Sequence, residues 1–254
     1  SAASWTLERG SAQVITTFTY DIATAAFGND GGLVPVPKFE KMNVGIHAEY
    51  GVLDNLTLRL LPSYEFVDTG FSGERNREQG LNSTGAGARY RLWSGSRQVI
   101  SVESTYYTKG ALRTNETTVL SRGSGDVDVR LLYGMSRDIS VLRFRANVFS
   151  DVQAGYRFRD GAPPNEYHVD VTFGAALPGR RWQLLGQTFS IVSDGEGELD
   201  GEAQFDAFEL HKAQVSTVYE LTDRIAIQVG GFTTLYGRNI IQEQAGFGAL
   251  WVTF

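Results

Sequence analysis

The chain has 254 residues, 42% of them hydrophobic, no cysteine and a formal net charge of −6. That length fits one large or two small domains, and the missing cysteines exclude a disulfide framework and any thiolate metal site. The mild acidity leaves no basic field to collect phosphates, which excludes nucleic acid as the main partner.

No run approaches the roughly 20 apolar residues of a transmembrane helix, but a barrel strand crosses a bilayer with only about 9–11. The 29 glycines and 11 tyrosines, against 6 prolines and 2 methionines, favour strands and turns. The opening Ser1-Ala2-Ala3-Ser4 has the small residues that follow a cleavage site, so the sequence reads as a mature form.

Alternation begins near Ala12, with Val14, Thr16, Phe18, Tyr20 and Ile22 on one face, and a glycine cluster at 28–32 ends it. A loop with Pro35 and Pro37 precedes a second segment at 39–50, where Met42, Val44, Ile46, Ala48 and Tyr50 oppose Lys41, Asn43, His47 and Glu49. A short turn at 52–55 opens the third, in which Leu56, Leu58, Leu60, Tyr64 and Phe66 oppose Thr57, Arg59, Ser63 and Glu65. Pro62 marks a bulge in it. A polar loop is expected at 69–80, then a fourth segment with Arg89 and Arg91 alternating against Ala88, Tyr90 and Leu92. The fifth sets Ile100, Val102 and Tyr106 against Ser101, Glu103 and Thr105, and a polar loop covers 109–125. In the sixth, Val127, Val129, Leu131 and Tyr133 oppose Asp126, Asp128 and Arg130, with a tight turn expected at 135–138.

The seventh segment, 142–159, is the clearest. Leu142, Phe144, Ala146, Val148, Ser150, Val152, Ala154, Tyr156 and Phe158 share one face. Arg143, Arg145, Asn147, Phe149, Asp151, Gln153, Gly155, Arg157 and Arg159 share the other. At roughly 3.3 Å per residue it would run about 60 Å, where a soluble strand is about 17–20 Å. Such a strand reads as a wall between lipid and water. The eighth opposes Tyr167, Val169, Val171 and Phe173 to His168, Asp170 and Thr172; a ninth covers 182–192 and an acidic loop 194–202. The tenth ends in Ala213, Val215, Thr217 and Tyr219, the eleventh carries Ile225, Ile227 and Val229, and the last reaches Phe254.

About twelve strands with connections alternating short and long predict one antiparallel up-and-down barrel over residues 1–254, integral to an outer membrane, both termini periplasmic. Tyr50, Tyr90, Tyr133 and Tyr219 precede short turns on the apolar parity, as an aromatic girdle would. A soluble sandwich or lipocalin-like barrel would turn the same apolar parity inward, and periodicity alone does not separate the two.

The terminal Phe254 behind Leu250 and Val252 resembles the signal by which outer-membrane proteins are recognised for assembly. That implies the assembly machinery as a partner, with membrane lipid and lipopolysaccharide around the wall. Blocks at 48–58, 155–163, 218–224 and 236–239, with Trp251-Val252-Thr253-Phe254, resemble a family of small outer-membrane channel proteins found near aromatic-degradation and exopolysaccharide genes. The resemblance implies passage of a small or polymeric solute, saccharide or aromatic chemistry being the family's setting, and it supplies no catalytic residue.

With the charged parity inward, the lumen holds Arg59, Arg89, Arg91, Arg130, Arg143, Arg145, Arg157 and Arg159 facing Glu49, Glu65, Glu103, Asp126, Asp128, Asp151 and Asp170. Two readings stand: rings of charge that select a solute, or paired charges that lock the bore and leave a scaffold barrel for envelope or export partners. Arg157, Arg159 and Arg238 near the outer strand ends match an anionic sugar or carboxylate. The loop at 193–202 reads as a solvated acidic loop, its spacing unlike an EF-hand, and no cofactor or metal site is expected. A lipid hydrolase would need a hydroxyl nucleophile and a positioned base. Only His211 has the lipid-facing parity, no partner serine can be assigned to it, and no Gly-x-Ser-x-Gly or His-Glu-x-x-His occurs.

Overall fold

The computed structural model describes residues 4–71, 74–108, 125–141, 144–177, 179, 181–197, 199–200, 203–204 and 206–254. Twelve strands form one antiparallel sheet: β1 Ala12–Phe27, β2 Leu33–Leu53, β3 Leu56–Leu61 continued by Ser63–Phe71, and β4 Glu74–Leu81 continued by Gly85–Ser94. Then come β5 Gln98–Tyr107, β6 Asp126–Val141, β7 Phe144–Phe158, β8 Glu166–Leu177, β9 Trp182–Ser193, β10 Glu209–Glu220, β11 Ile225–Arg238 and β12, Ile240–Ile241 continued by Gln244–Thr253. Each strand pairs with its sequence neighbours, and β12 pairs back onto β1 from Thr253 opposite Gln13 to Gln244 opposite Ile22, which closes the barrel. Phe254 donates its backbone N–H to the Ala12 carbonyl at 2.9 Å, so the chain's last residue completes the seam.

Burial settles inside from outside. Arg89 is 1% exposed and Asp128 2%, while Phe173 is 64%, Val215 70% and Val229 60% exposed. A soluble barrel would show the reverse. The charged parity faces the lumen and the apolar parity faces out. Tyr50, Tyr90 and Tyr133 are exposed on the outer face, and Tyr219 packs on Trp182 with ring centroids 4.6 Å apart. A second belt, not foreseen, rings the long-loop end: Tyr156 packs on Phe158 and Tyr167 at 4.8 and 4.9 Å, and Tyr64 on Phe66 at 5.0 Å.

Three boundaries differ from expectation. The predicted loop at 33–38 is strand, because Pro35 faces Ala25 of β1 and the β3 ladder ends at Phe39, so the proline side has no donor to lose. The polar loop expected at 69–80 is largely hairpin, with Asp68 opposite Arg77, since a hairpin standing beyond the apolar belt needs no apolar face. The stretch expected as a turn at 135–138 is strand: β6 and β7 stay paired as far as Val141 opposite Phe144, eight residues past Tyr133.

Candidate functional site: the charged lumen and the segment that crosses it

Among the described residues, three groups of ion pairs line the lumen. The first lies toward the short-turn end on β2 to β5. Cross-strand register sets Glu49 opposite Arg59 and Arg89 opposite Glu103. Arg89 Nη2 stands 3.0 Å from Glu49 Oε1 and 2.9 Å from Glu103 Oε2, Arg59 Nε is 3.2 Å from Glu49 and also pairs with Glu103, and His47 Nε2 is 3.0 Å from Glu49.

The second climbs β6 to β8. Arg130 donates to Asp128 at 2.7 Å and to Asp170 at 2.5 Å, and its third nitrogen stands 3.2 Å from His168 Nδ1. His168 Nε2 is 2.9 Å from Glu166, which also pairs with Arg159, and Arg159 Nε is 2.8 Å from Asp126. Arg157 lies 3.6 Å from Asp128 and over the Tyr107 ring at 4.4 Å. The third group joins Lys41 to Glu243 at 2.9 Å and to Asp21 at 3.6 Å, with Lys212 also on Glu243.

Glu65 accepts from Asn43 at 3.0 Å, and Arg91 makes no ion pair among the described residues. Arg143 and the side chain of Arg145 lie outside the described residues. Arg238 is held by Glu209 at 3.0 Å. Of the acidic loop, Asp194 accepts from the Tyr156 hydroxyl at 2.6 Å, and among the described residues no group of three carboxylate or imidazole ligands forms. His211, to which the sequence alone assigns no partner serine, has one: Ser190 is directly opposite it, with Oγ 2.9 Å from Nδ1. Cross-strand register, invisible in one sequence, makes that pair.

Residues 4–10 were no candidate, and they enter the lumen. The Arg9 and Leu7 N–H groups donate to Asp54 Oδ1 at 3.0 Å and to Thr57 Oγ1 at 2.8 Å. Arg89 Nη1 donates to the Trp5 carbonyl at 3.1 Å and Ser101 Oγ to the Ser4 carbonyl at 2.7 Å. The Ser4 N–H reaches Asp151 Oδ2 at 2.6 Å, and the Ser4 hydroxyl bonds the same oxygen. Two glycines make room. A β-carbon on Gly51 would overlap the Glu8 carbonyl, and one on Gly134 would run into the Trp5 ring. From Glu8 on β2 to Ser4 on β7 is four residues, at most about 14 Å of chain. The wall between those strands measures roughly 24 Å at 4.8 Å per strand. The segment therefore runs as a chord across the lumen rather than along its wall.

No family model matches the chain, and no curated protein does. Solved structures do. The COG4313 outer membrane channel from Pseudomonas putida F1 matches with a TM-score of 0.71 at 15% identity, over 99% of this chain and 98% of that one. The transport unit of the autotransporter AIDA-I from Escherichia coli matches at 0.57 and 11% identity, over 96% and 90%. LpxR from Salmonella typhimurium matches at 0.52 and 7% identity, over 95% and 99%. At such identities the likeness is one of fold. The chain has the closed, antiparallel twelve-stranded fold of the outer-membrane β-barrels, as its likeness to the small channel proteins implied.

Proposed function

We propose that this chain is an outer-membrane channel for a small hydrophilic solute, with its termini and short turns in the periplasm. The observation that carries the reading is where the lumen charges lie. Each pair in the first two groups lies within one strand or joins neighbouring strands or strands one apart, so the charges lie against the wall and no ion pair among them bridges the middle of the bore. Twelve strands enclose more space than the eight that side chains just fill. The arginines at the outer strand ends are already held by carboxylates, which favours neutral or weakly charged solutes over an anionic sugar. The two aromatic belts suit contact with lipid and lipopolysaccharide, and Phe254 suits recognition at assembly.

Single-channel recording in planar bilayers tests this. We expect stepwise conductance whose ion selectivity shifts in Arg130→Gln; a barrel that inserts but stays silent would favour the scaffold reading. One observation favours a lipid hydrolase, the Ser190–His211 pair on the lipid-facing parity. Against it, the imidazole stacks on Tyr236 and no carboxylate or amide holds its other nitrogen among the described residues, whereas a working base is oriented by a third group. Fatty-acid release from phospholipid micelles that is lost in Ser190→Ala would overturn our preference.

A further inference from the structure

We infer that residues 4–9 are a gate: they obstruct the short-turn mouth of the lumen in the state seen here, and solute passes when they withdraw about Gly10. This rests on the channel reading. The segment spans the lumen from β2 to β7 at the height of the first ion-pair group, with the Trp5 ring lodged against Gly134 on the far side. A solute leaving the bore at that end meets this chord.

The way the segment is held suits release. Residues 4–9 add no rung to the sheet: apart from the Glu8 carbonyl, which accepts from the Ser11 N–H in the local turn, their backbone is held by side chains of the wall, namely Asp54, Thr57, Arg89, Ser101 and Asp151. Backbone bonding to the wall begins only at Gly10, which donates to the Gly51 carbonyl at 2.8 Å. Withdrawal therefore breaks no rung of the ladder that keeps the barrel closed. The seat is also complete without the segment. Arg89 keeps Glu49 and Glu103, while Asp151, 1% exposed and accepting otherwise from Gln153 at 2.9 Å, faces a lumen that water can refill. Gly10, with φ of 84°, adopts a left-handed conformation that other residues rarely take, which places a turn where the segment bends inward from β1.

Asp151 is the far latch, because it alone receives two bonds from Ser4. The absence of any native cysteine permits a clean test. The double variant Ser4→Cys/Asp151→Cys, refolded and recorded in planar bilayers, should show low conductance when oxidised. On reduction it should rise above the wild type, since the latch carboxylate is gone. Deletion of residues 4–9 should reproduce the reduced level without sensitivity to reductant. Equal conductance in wild type, oxidised, reduced and deleted barrels would overturn the gate while leaving the channel. Failure of the two thiols to crosslink in the folded barrel would overturn the seat itself. Silence in every form, the deletion included, would bring down the channel reading and the gate with it.

Discussion

Arg89 shows how the barrel accommodates charge on its inner face. Its guanidinium is nearly without solvent, and its donors go to Glu49, Glu103 and the Trp5 carbonyl. Removing one partner of a buried ion pair strands the other, at a cost of about 3–5 kcal/mol. Arg89→Met should therefore lower the unfolding free energy of the refolded barrel, read from its urea titration, by that order, and the urea midpoint with it. Adding Glu103→Gln should recover part of the loss, and a midpoint unchanged by Arg89→Met would mean that water solvates this site. Parity marks Arg89, Glu49 and Glu103 in the sequence as sharing the charged face. Which of them meet depends on register across three strand pairs, and no single strand encodes that. The Ser190–His211 contact is hidden for the same reason. Ser4 and Trp5 are hidden more deeply, because a short stretch with no period carries no signal of the side chains that will receive it.

At the scale of elements, strand periodicity reports the span that touches lipid and grows silent beyond it. Tyr133 marks the expected edge, and the hairpin of β6 and β7 continues eight residues further, pairing Arg137 with Val148 and Ile139 with Ala146. Past the belt both faces of a hairpin meet water, so Ser136, Arg137 and Asp138 sit in a strand although they read as a turn. The same holds for β3 and β4 beyond Phe66, where charged pairs such as Asp68 with Arg77 replace the apolar row. If this hairpin stands clear of the bilayer, it contributes little to closure. Replacing residues 138–147 by a two-residue turn should leave heat-resistant migration on detergent gels and the urea midpoint unchanged. Loss of the compact form would show that the extension is needed for the seam between β7 and β8.

Taken as a whole, the molecule is a core turned inside out. The residues that would fill a soluble interior cover the surface, and few apolar side chains, Val99 and Leu132 among them, are fully buried. Which face meets lipid was the question alternation left open, and the four tryptophans answer it in solution. Trp182 stacks on Tyr219, and Trp93 is half exposed opposite Ile100, both on the outer face. Trp251 donates its indole N–H to inward-facing Gln228 at 3.0 Å, and Trp5 lies within the lumen. In single-tryptophan variants reconstituted into vesicles, lipids brominated near the headgroup end of their chains should quench Trp93 and Trp182 and spare Trp5 and Trp251. A soluble quencher small enough to enter the lumen should reverse that order. Bromine quenching of Trp251 would place the charged parity against lipid and invert the barrel, and with it every assignment of the lumen.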